Sequence, residues 1–241
     1  MDNNLQNDFI STVSHELRTP LTSIRGFAQT MLSSWDALDD ANKKKFIKII
    51  EEQSNRLINL VENVLSVNKL QSFSDNFVYK SHKIKPLIES VIQVVSQQYP
   101  THKFTARYDA KLPEVYVDSD KFQQIMTNLI ENGAKYSDEN STIEINVGFS
   151  STPEFASITV KDYGIGISEQ DYEKIFNKFS RIDNYLTRKV QGSGLGLYIT
   201  KTLVLKMGGT ILVSSNENGS AFTVLLPFAN VENQAKQSLK E

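Results

Sequence analysis

The chain has no cysteine, which removes disulfides, thiol nucleophiles and thiolate metal ligands together. It has only three histidines, His15, His82 and His102, too few and too scattered for an ordinary zinc site. A magnesium site built from oxygen atoms stays open. No strong charge of one sign is present: 26 basic and 28 acidic residues leave a formal charge of −2. Broad electrostatic binding to nucleic acid is therefore not expected. No apolar run approaches the length of a membrane span, and the polar start Met1, Asp2, Asn3, Asn4 is unlike a signal peptide. A reducing, intracellular environment is compatible with these absences, and the expectation is a cytoplasmic fragment without membrane contact of its own. A hydrophobic content of 39% over 241 residues is enough for one large domain or two smaller ones.

The first two segments carry helical periodicity. Phe9, Val13, Leu17, Leu21, Ile24, Ala28 and Met31 recur at steps of three and four over about 5–33. After a polar connection, Phe46, Ile49, Ile50, Gln53, Leu57, Leu60, Val64 and Val67 do the same over about 41–71. Two such helices joined by a short loop form an antiparallel hairpin. A lone hairpin cannot bury both stripes, so a homodimer closing a four-helix bundle is the expectation. Packing of the hairpin on the following domain is the alternative.

A short polar stretch at 72–76 marks the domain boundary, giving a hairpin domain at 1–72 and a second domain at 77–228, with a polar tail at 229–241. The second domain mixes elements without regular βαβ alternation. Strands are expected at 77–79, 102–108, 115–117, 142–149, 155–162, 210–215 and 221–226, and helices at 84–98, 120–136 and 194–207. The fold class is thus α+β: a helical hairpin, then an α/β sandwich with a mixed sheet.

Chemistry-bearing residues gather in four places. His15, Glu16 and Thr19 lie in the first helix, with His15 and Thr19 four apart and therefore on one face. Pro20 follows, and its ring opposes the carbonyl of Glu16, so a kink is expected there. Asn128 and Asn132 share one face of a helix, with Gly133, Lys135 and Tyr136 after them. Their amide oxygens suit a hard cation and the lysine a phosphate, although a solvated polar face is an equal reading. Asp162, Gly164 and Gly166 end a strand, where an acid could accept a hydrogen bond from an exocyclic amine. Gly192-Ser193-Gly194-Leu195-Gly196-Leu197 runs directly into a helix, so free N–H groups and the helix dipole are available to a phosphate. The stretch fits neither the Rossmann pattern, lacking a strand before it, nor the P-loop, lacking Gly-Lys-Ser/Thr. Roughly thirty residues of loop between the glycine motifs suggest a lid, with Phe176 and Phe179 as anchors or simply as core residues.

In this order the motifs resemble the catalytic core of the sensor histidine kinases of two-component systems. The stretch from His15 to Pro20 is similar to the phosphoacceptor box. The stretch from Asn128 to Ser137 is similar to the asparagine box, and Asp162 to Gly166 and Gly192 to Leu197 to the glycine boxes. Residues 218–222 resemble a last glycine box, with Glu217 where glycine is common and Gly133 where alanine is usual.

The resemblance implies ATP and Mg²⁺ as cofactors and a long ATP lid over the triphosphate. It implies His15 as the phosphorylated residue, Glu16 as its base or orienting group, and Thr19 as the residue that positions water in dephosphorylation. It implies Asn132 as Mg²⁺ ligand with Asn128 beside it, Lys135 near the phosphates and Asp162 reading adenine. It also implies phosphoryl transfer to an aspartate of a response regulator, docked near Thr22, Arg25, Gly26 and Gln29. A sensor domain, often with membrane spans, usually precedes such a core. Related hydrolases place a glutamate base four residues before the magnesium asparagine. Asn128 stands there, and an amide takes no proton at neutral pH. A kinase is thereby favoured over an ATPase or chaperone-like machine, and over a purely scaffolding dimer.

Overall fold

The structure is a computed structural model that describes residues 2–71, 77–152, 154–180, 182 and 192–229. The 72–76 connection, much of the expected lid and nearly all of the tail lie outside the described residues. The chain divides into two compact units, Met1–Phe73 and Ser74–Glu241.

The first unit is a helical hairpin of α1 (Asp2–Ser34) and α2 (Asp40–Gln71). The turn closes through the Ser34 carbonyl, which accepts from the amides of Ala37 and Leu38 at 3.0 Å. Asp39 then opens α2, its carboxylate accepting from the Asn42 amide at 2.7 Å, which satisfies a free donor of the first turn. Between the helices, Phe27 and Phe46 pack with ring centroids 5.2 Å apart, and Met31, Leu60, Val67 and Leu70 are buried. Pro20 produces no break: α1 runs unbroken through it and the proline is buried. Leu21, expected in the seam, is half exposed.

The second unit is a two-layer α+β domain. Its elements are β1 (Lys80–His82), α3 (Ile84–Gln98), β2 (Lys103–Tyr108), β3 (Val115–Val117), α4 (Ser119–Tyr136), β4 (Thr142–Phe149), β5 (Phe155–Lys161), α5 (Gly196–Lys206), β6 (Thr210–Asn216) and β7 (Gly219–Pro227). The main sheet runs β2-β4-β5-β7-β6, with β2 and β4 parallel and the other pairs antiparallel. The sheet is thus mixed. Alternation decides its faces: Ile143, Ile145 and Val147 on β4 and Ala156, Ile158 and Val160 on β5 point to the core. On the opposite face Thr159 and Thr223 bond across strands at 2.9 Å. α4 packs against both α3 and α5, so it is the middle helix of the second layer, with Phe122, Ile125, Met126, Leu129 and Ile130 facing inward.

One strand is displaced from its expected place. Residues 77–79 do not pair; β1 begins at Lys80 and pairs with β3. The backbone at Val78 is used elsewhere, its N–H donating to the Asp118 carboxylate at 2.8 Å. Tyr79 lies between the rings of Phe77 and Tyr116, with centroids 5.5 and 5.6 Å away. The other Asp118 oxygen caps α4, accepting from the amides of Asp120 and Lys121 at 3.1 Å. Asp118 therefore fixes both the entry to this domain and the start of the helix that carries Asn128 and Asn132.

Candidate functional site

Asp162 follows the central strand β5 and is 6% exposed. Its Oδ1 accepts from the amides of Gly164 at 2.9 Å and Ser220 at 3.2 Å. Its own N–H donates to the Ser220 carbonyl at 2.8 Å, extending the β5–β7 pairing by one residue. Oδ2 has no protein partner among the described residues. Burial pushes the Asp162 pKa up, while the two amide hydrogen bonds pull against it without cancelling it. An acceptor held this firmly, with one oxygen spare, suits a neutral donor such as an amine.

The glycines around it are there for close approach. A Cβ on Gly164 would strike the Tyr136 carbonyl at the end of α4, and one on Gly219 the Asp162 carbonyl. Gly166 and Gly219 also have φ of +70° and +129°, where side chains are strained. The result is a pocket whose polar wall is Asn132, Tyr136 and Asp162 and whose apolar walls include Ile165, Ile175 and Leu197. Such a mainly apolar slot with one buried acceptor fits a flat heterocycle carrying an amino group.

One turn before Asn132 on α4, Asn128 donates from Nδ2 to the Thr200 hydroxyl at 2.7 Å. Its Oδ1 lies against Gly196, where a Cβ would collide with it. Leu195 provides no side-chain cap to α5, so the first N–H groups of that helix keep no capping side chain. Gly194, at φ +68°, packs its Cα side against the backbone of Phe179. A Cβ on Gly192 would meet nothing within 4 Å among the described residues. Before it, two 3₁₀ turns, Glu169–Asp171 and Lys174–Phe176, occupy part of the expected loop. Phe176 is buried against Phe222, so this residue is core as well as loop anchor.

Lys135 is placed differently from a free phosphate ligand. Its Nζ lies 2.7 Å from Glu131 Oε2. Burial alone would lower its pKa, but the Glu131 charge and hydrogen bond, together with Tyr99, outweigh this and raise it. The ammonium is therefore fully charged and already neutralised.

On the hairpin, His15 and Thr19 are exposed on α1, with the Thr19 hydroxyl 3.4 Å from the His15 carbonyl. Glu16 is turned inward and meets Arg56 of α2, Nη2 to Oε2 3.5 Å. Sequence reasoning singled out neither Arg56, Thr200, Glu131 nor Ser220. Arg56 and Thr200 lie outside the motifs, whereas Glu131 sits within the asparagine-box stretch and Ser220 within the last glycine-box pattern. A further unforeseen contact is Tyr172, whose hydroxyl donates to the Ser215 carbonyl at 2.9 Å and accepts from the Ser215 amide at 2.7 Å. Ser215 Oγ in turn accepts from the Ile167 amide at 2.8 Å, so Tyr172 braces the wall that holds Ile165 and Ile167.

A phosphoacceptor-like histidine on a helical hairpin, followed by a sandwich domain with a buried acid and glycine clamps, defines a kinase-type nucleotide-binding module. Residues 117–230 match the family described as histidine kinase-, DNA gyrase B- and HSP90-like ATPase, and residues 5–73 match the His Kinase A (phospho-acceptor) domain. The chain belongs to the sensor histidine kinases and corresponds to their catalytic core.

It is 34% identical over 227 residues to sensor histidine kinase WalK of Bacillus subtilis, covering 92% of this chain and 36% of that protein. It is 33% identical over 215 residues to signal transduction histidine-protein kinase ArlS of Staphylococcus haemolyticus, covering 89% and 47%. The chain thus spans between a third and a half of the length of these curated relatives. Histidine kinase ThkA, solved in complex with response regulator protein TrrA, has 25% identity and a TM-score of 0.75, covering 94% of this chain and 63% of that one. Histidine kinase AdeS of Acinetobacter baumannii shares the fold, with 24% identity, a TM-score of 0.69 and coverage of 89% and 98%. Among the described residues no helix is long and apolar enough to cross a membrane.

Proposed function

We propose that this chain is a Mg²⁺–ATP-dependent protein histidine kinase that phosphorylates His15 and passes the phosphoryl group to an aspartate of a response regulator. The observation that carries the kinase reading is Asn128. Its amide is held between Thr200 and Gly196 at the position where a hydrolytic relative would need a carboxylate. An amide there cannot deprotonate water, so bound ATP awaits another nucleophile.

His15 is exposed and supplies one. A neutral imidazole carries a lone pair on one ring nitrogen and a proton on the other. The nitrogen with the lone pair attacks the γ-phosphorus, the bond to the ADP oxygen breaks, and the proton on the other nitrogen passes to Glu16. Thr19, on the same exposed face, would position water when the phosphorylated partner is dephosphorylated. In the nucleotide pocket, Asp162 Oδ2 accepts from the adenine amine between Ile165 and Ile175, and Tyr136 lines the same slot. The uncapped start of α5, with Gly192, Gly194, Leu195, Gly196 and Leu197, faces the phosphates. The lid expected before it falls partly on 181 and 183–191, outside the described residues. Lys135 contributes charge there once Glu131 releases it.

For Mg²⁺, no group of three or more carboxylate or histidine side chains is present among the described residues. The donor set is the amide oxygen of Asn132, with Asn128 beside it. That set fits a hard cation that keeps water and phosphate oxygens as its other ligands. Bound there, the ion would neutralise charge on the phosphates.

A homodimer is supported by Ile58, Val61 and Leu65 on one face of α2, 54%, 43% and 52% exposed, and by Leu21 on α1 at 50%. The domain limits proposed are 1–72 for the hairpin and 77–228 for the nucleotide domain. Incubation with γ-labelled ATP tests the reading. A base-stable, acid-labile phosphoprotein should form, and His15→Gln should form none; labelling that persists in His15→Gln refutes the assignment.

A further inference from the structure

Neighbouring residues on a helix do not share a face, so Glu16 and His15 point about 100° apart around α1. His15 and Arg18 are exposed, whereas Glu16 and Leu17 are half-buried toward α2. In that groove Arg56 Nη2 meets Glu16 Oε2 at 3.5 Å, with the two side chains 25% and 27% exposed. The contact joins residues forty positions apart and is a single long approach rather than a two-pronged fork. A pair of this kind is weak and opens readily, and salt screens it.

We propose that Arg56 is a positioning residue that holds the Glu16 carboxylate in the interhelical groove, away from His15. The inference rests on the reading of His15 as nucleophile and Glu16 as its base. While the pair is closed, the proton on His15 has no side-chain acceptor among the described residues of the hairpin. When it opens, the carboxylate swings to the ring and phosphoryl transfer proceeds. Arg56 thus limits autophosphorylation without touching the reacting atoms. Thr19 stands outside this control, because its hydroxyl is engaged with the His15 carbonyl and not with either member of the pair.

The test is a double-mutant cycle on initial autophosphorylation rates at saturating ATP, using the full chain. Arg56→Gln should raise the rate roughly two- to fivefold, the span expected for releasing a partly exposed ion pair. Arg56→Lys keeps the cation and should stay near wild type. Arg56→Met, which keeps the apolar stem in the groove, should behave as Arg56→Gln, and helical circular dichroism checks that the hairpin is intact. In a Glu16→Gln background, Arg56→Gln should change nothing. A slower rate in Arg56→Gln and Arg56→Met whether or not Glu16 is present would mean that Arg56 only supports the hairpin, and the proposal fails. A slower rate only when Glu16 is present would mean that Arg56 activates the base, which also overturns it. If Glu16→Gln labels as fast as wild type, the assignment of the base is what fails, and this inference with it. Absence of labelling in the wild-type chain would instead refute the kinase function.

Discussion

If Asp162 reads adenine as proposed, Asp162→Asn separates that recognition from the construction of the pocket. The asparagine side chain has the same shape, and its Oδ1 can still accept from the amides of Gly164 and Ser220, now at 2.9 and 3.2 Å from Asp162 Oδ1. What changes is the second oxygen, which becomes an N–H donor facing a donor. A hydrogen bond to a charged acceptor contributes about 1.5–3 kcal/mol. Its loss weakens nucleotide binding by roughly 10- to 150-fold, and the donor–donor clash pushes toward the upper end.

Stability should move the other way. Burial lifts the Asp162 pKa above its ordinary value of 3.8 in the folded chain. Below that value the carboxyl is protonated both folded and unfolded, so burial costs nothing in charge. As pH rises, the unfolded chain ionises first and gains, and the folded state bears a cost that grows through its raised pKa and is then constant. Asparagine carries no such cost. The stability of Asp162→Asn relative to wild type should therefore improve between about pH 4 and pH 7. Calorimetric titration with ADP and urea unfolding at both pH values measure the two effects. Wild-type affinity in the variant would refute Asp162 as the adenine reader. Affinity lost only together with the fold would show that Asp162 is a structural residue.

Gly133→Ala tests the departure inside α4. The new methyl would lie 3.3 Å from Ile143 Cδ1 and 3.4 Å from Asp162 Cβ, close enough to require a small shift of a flexible side-chain end. Helix propensity favours alanine by about 1 kcal/mol, so a net gain of about 0.5 kcal/mol in urea unfolding is expected, and a loss beyond about 1 kcal/mol would show that Ile143 cannot yield. Gly196→Ala, by contrast, drives a Cβ into the Asn128 amide. It should weaken ADP binding by roughly tenfold or more with the fold retained, and unchanged affinity would remove Asn128 from the phosphate side of the site.

Much of this was determined by the sequence alone. Local rules decide periodicity, capping and glycine-rich turns, so α3, β3, α4 and β4 fall where apolar spacing and turn residues put them, within a residue of the expected bounds. The motifs that identify the family are likewise short and continuous. Residues 77–79 mark the limit of such reasoning. They read as a strand, but a carboxylate forty residues away takes the Val78 amide and pairing starts three residues later. Pro20 shows a similar limit, because the chain stays helical through it and buries it despite the local penalty.

Only the tertiary structure decided what the glycines and polar residues touch. Asp162 is finished by Ser220, Asn128 by Thr200, Tyr172 by Ser215 and Glu16 by Arg56, across separations of 58, 72, 43 and 40 residues. Strand order and helix packing set those meetings, and neither follows from the spacing along the chain. The sequence therefore announced a nucleotide site and a phosphoacceptor. The fold determined that Asp162 keeps one oxygen free, that Lys135 is already neutralised, and that Glu16 is held by Arg56, because hydrogen bonds and charges act through space rather than along the chain.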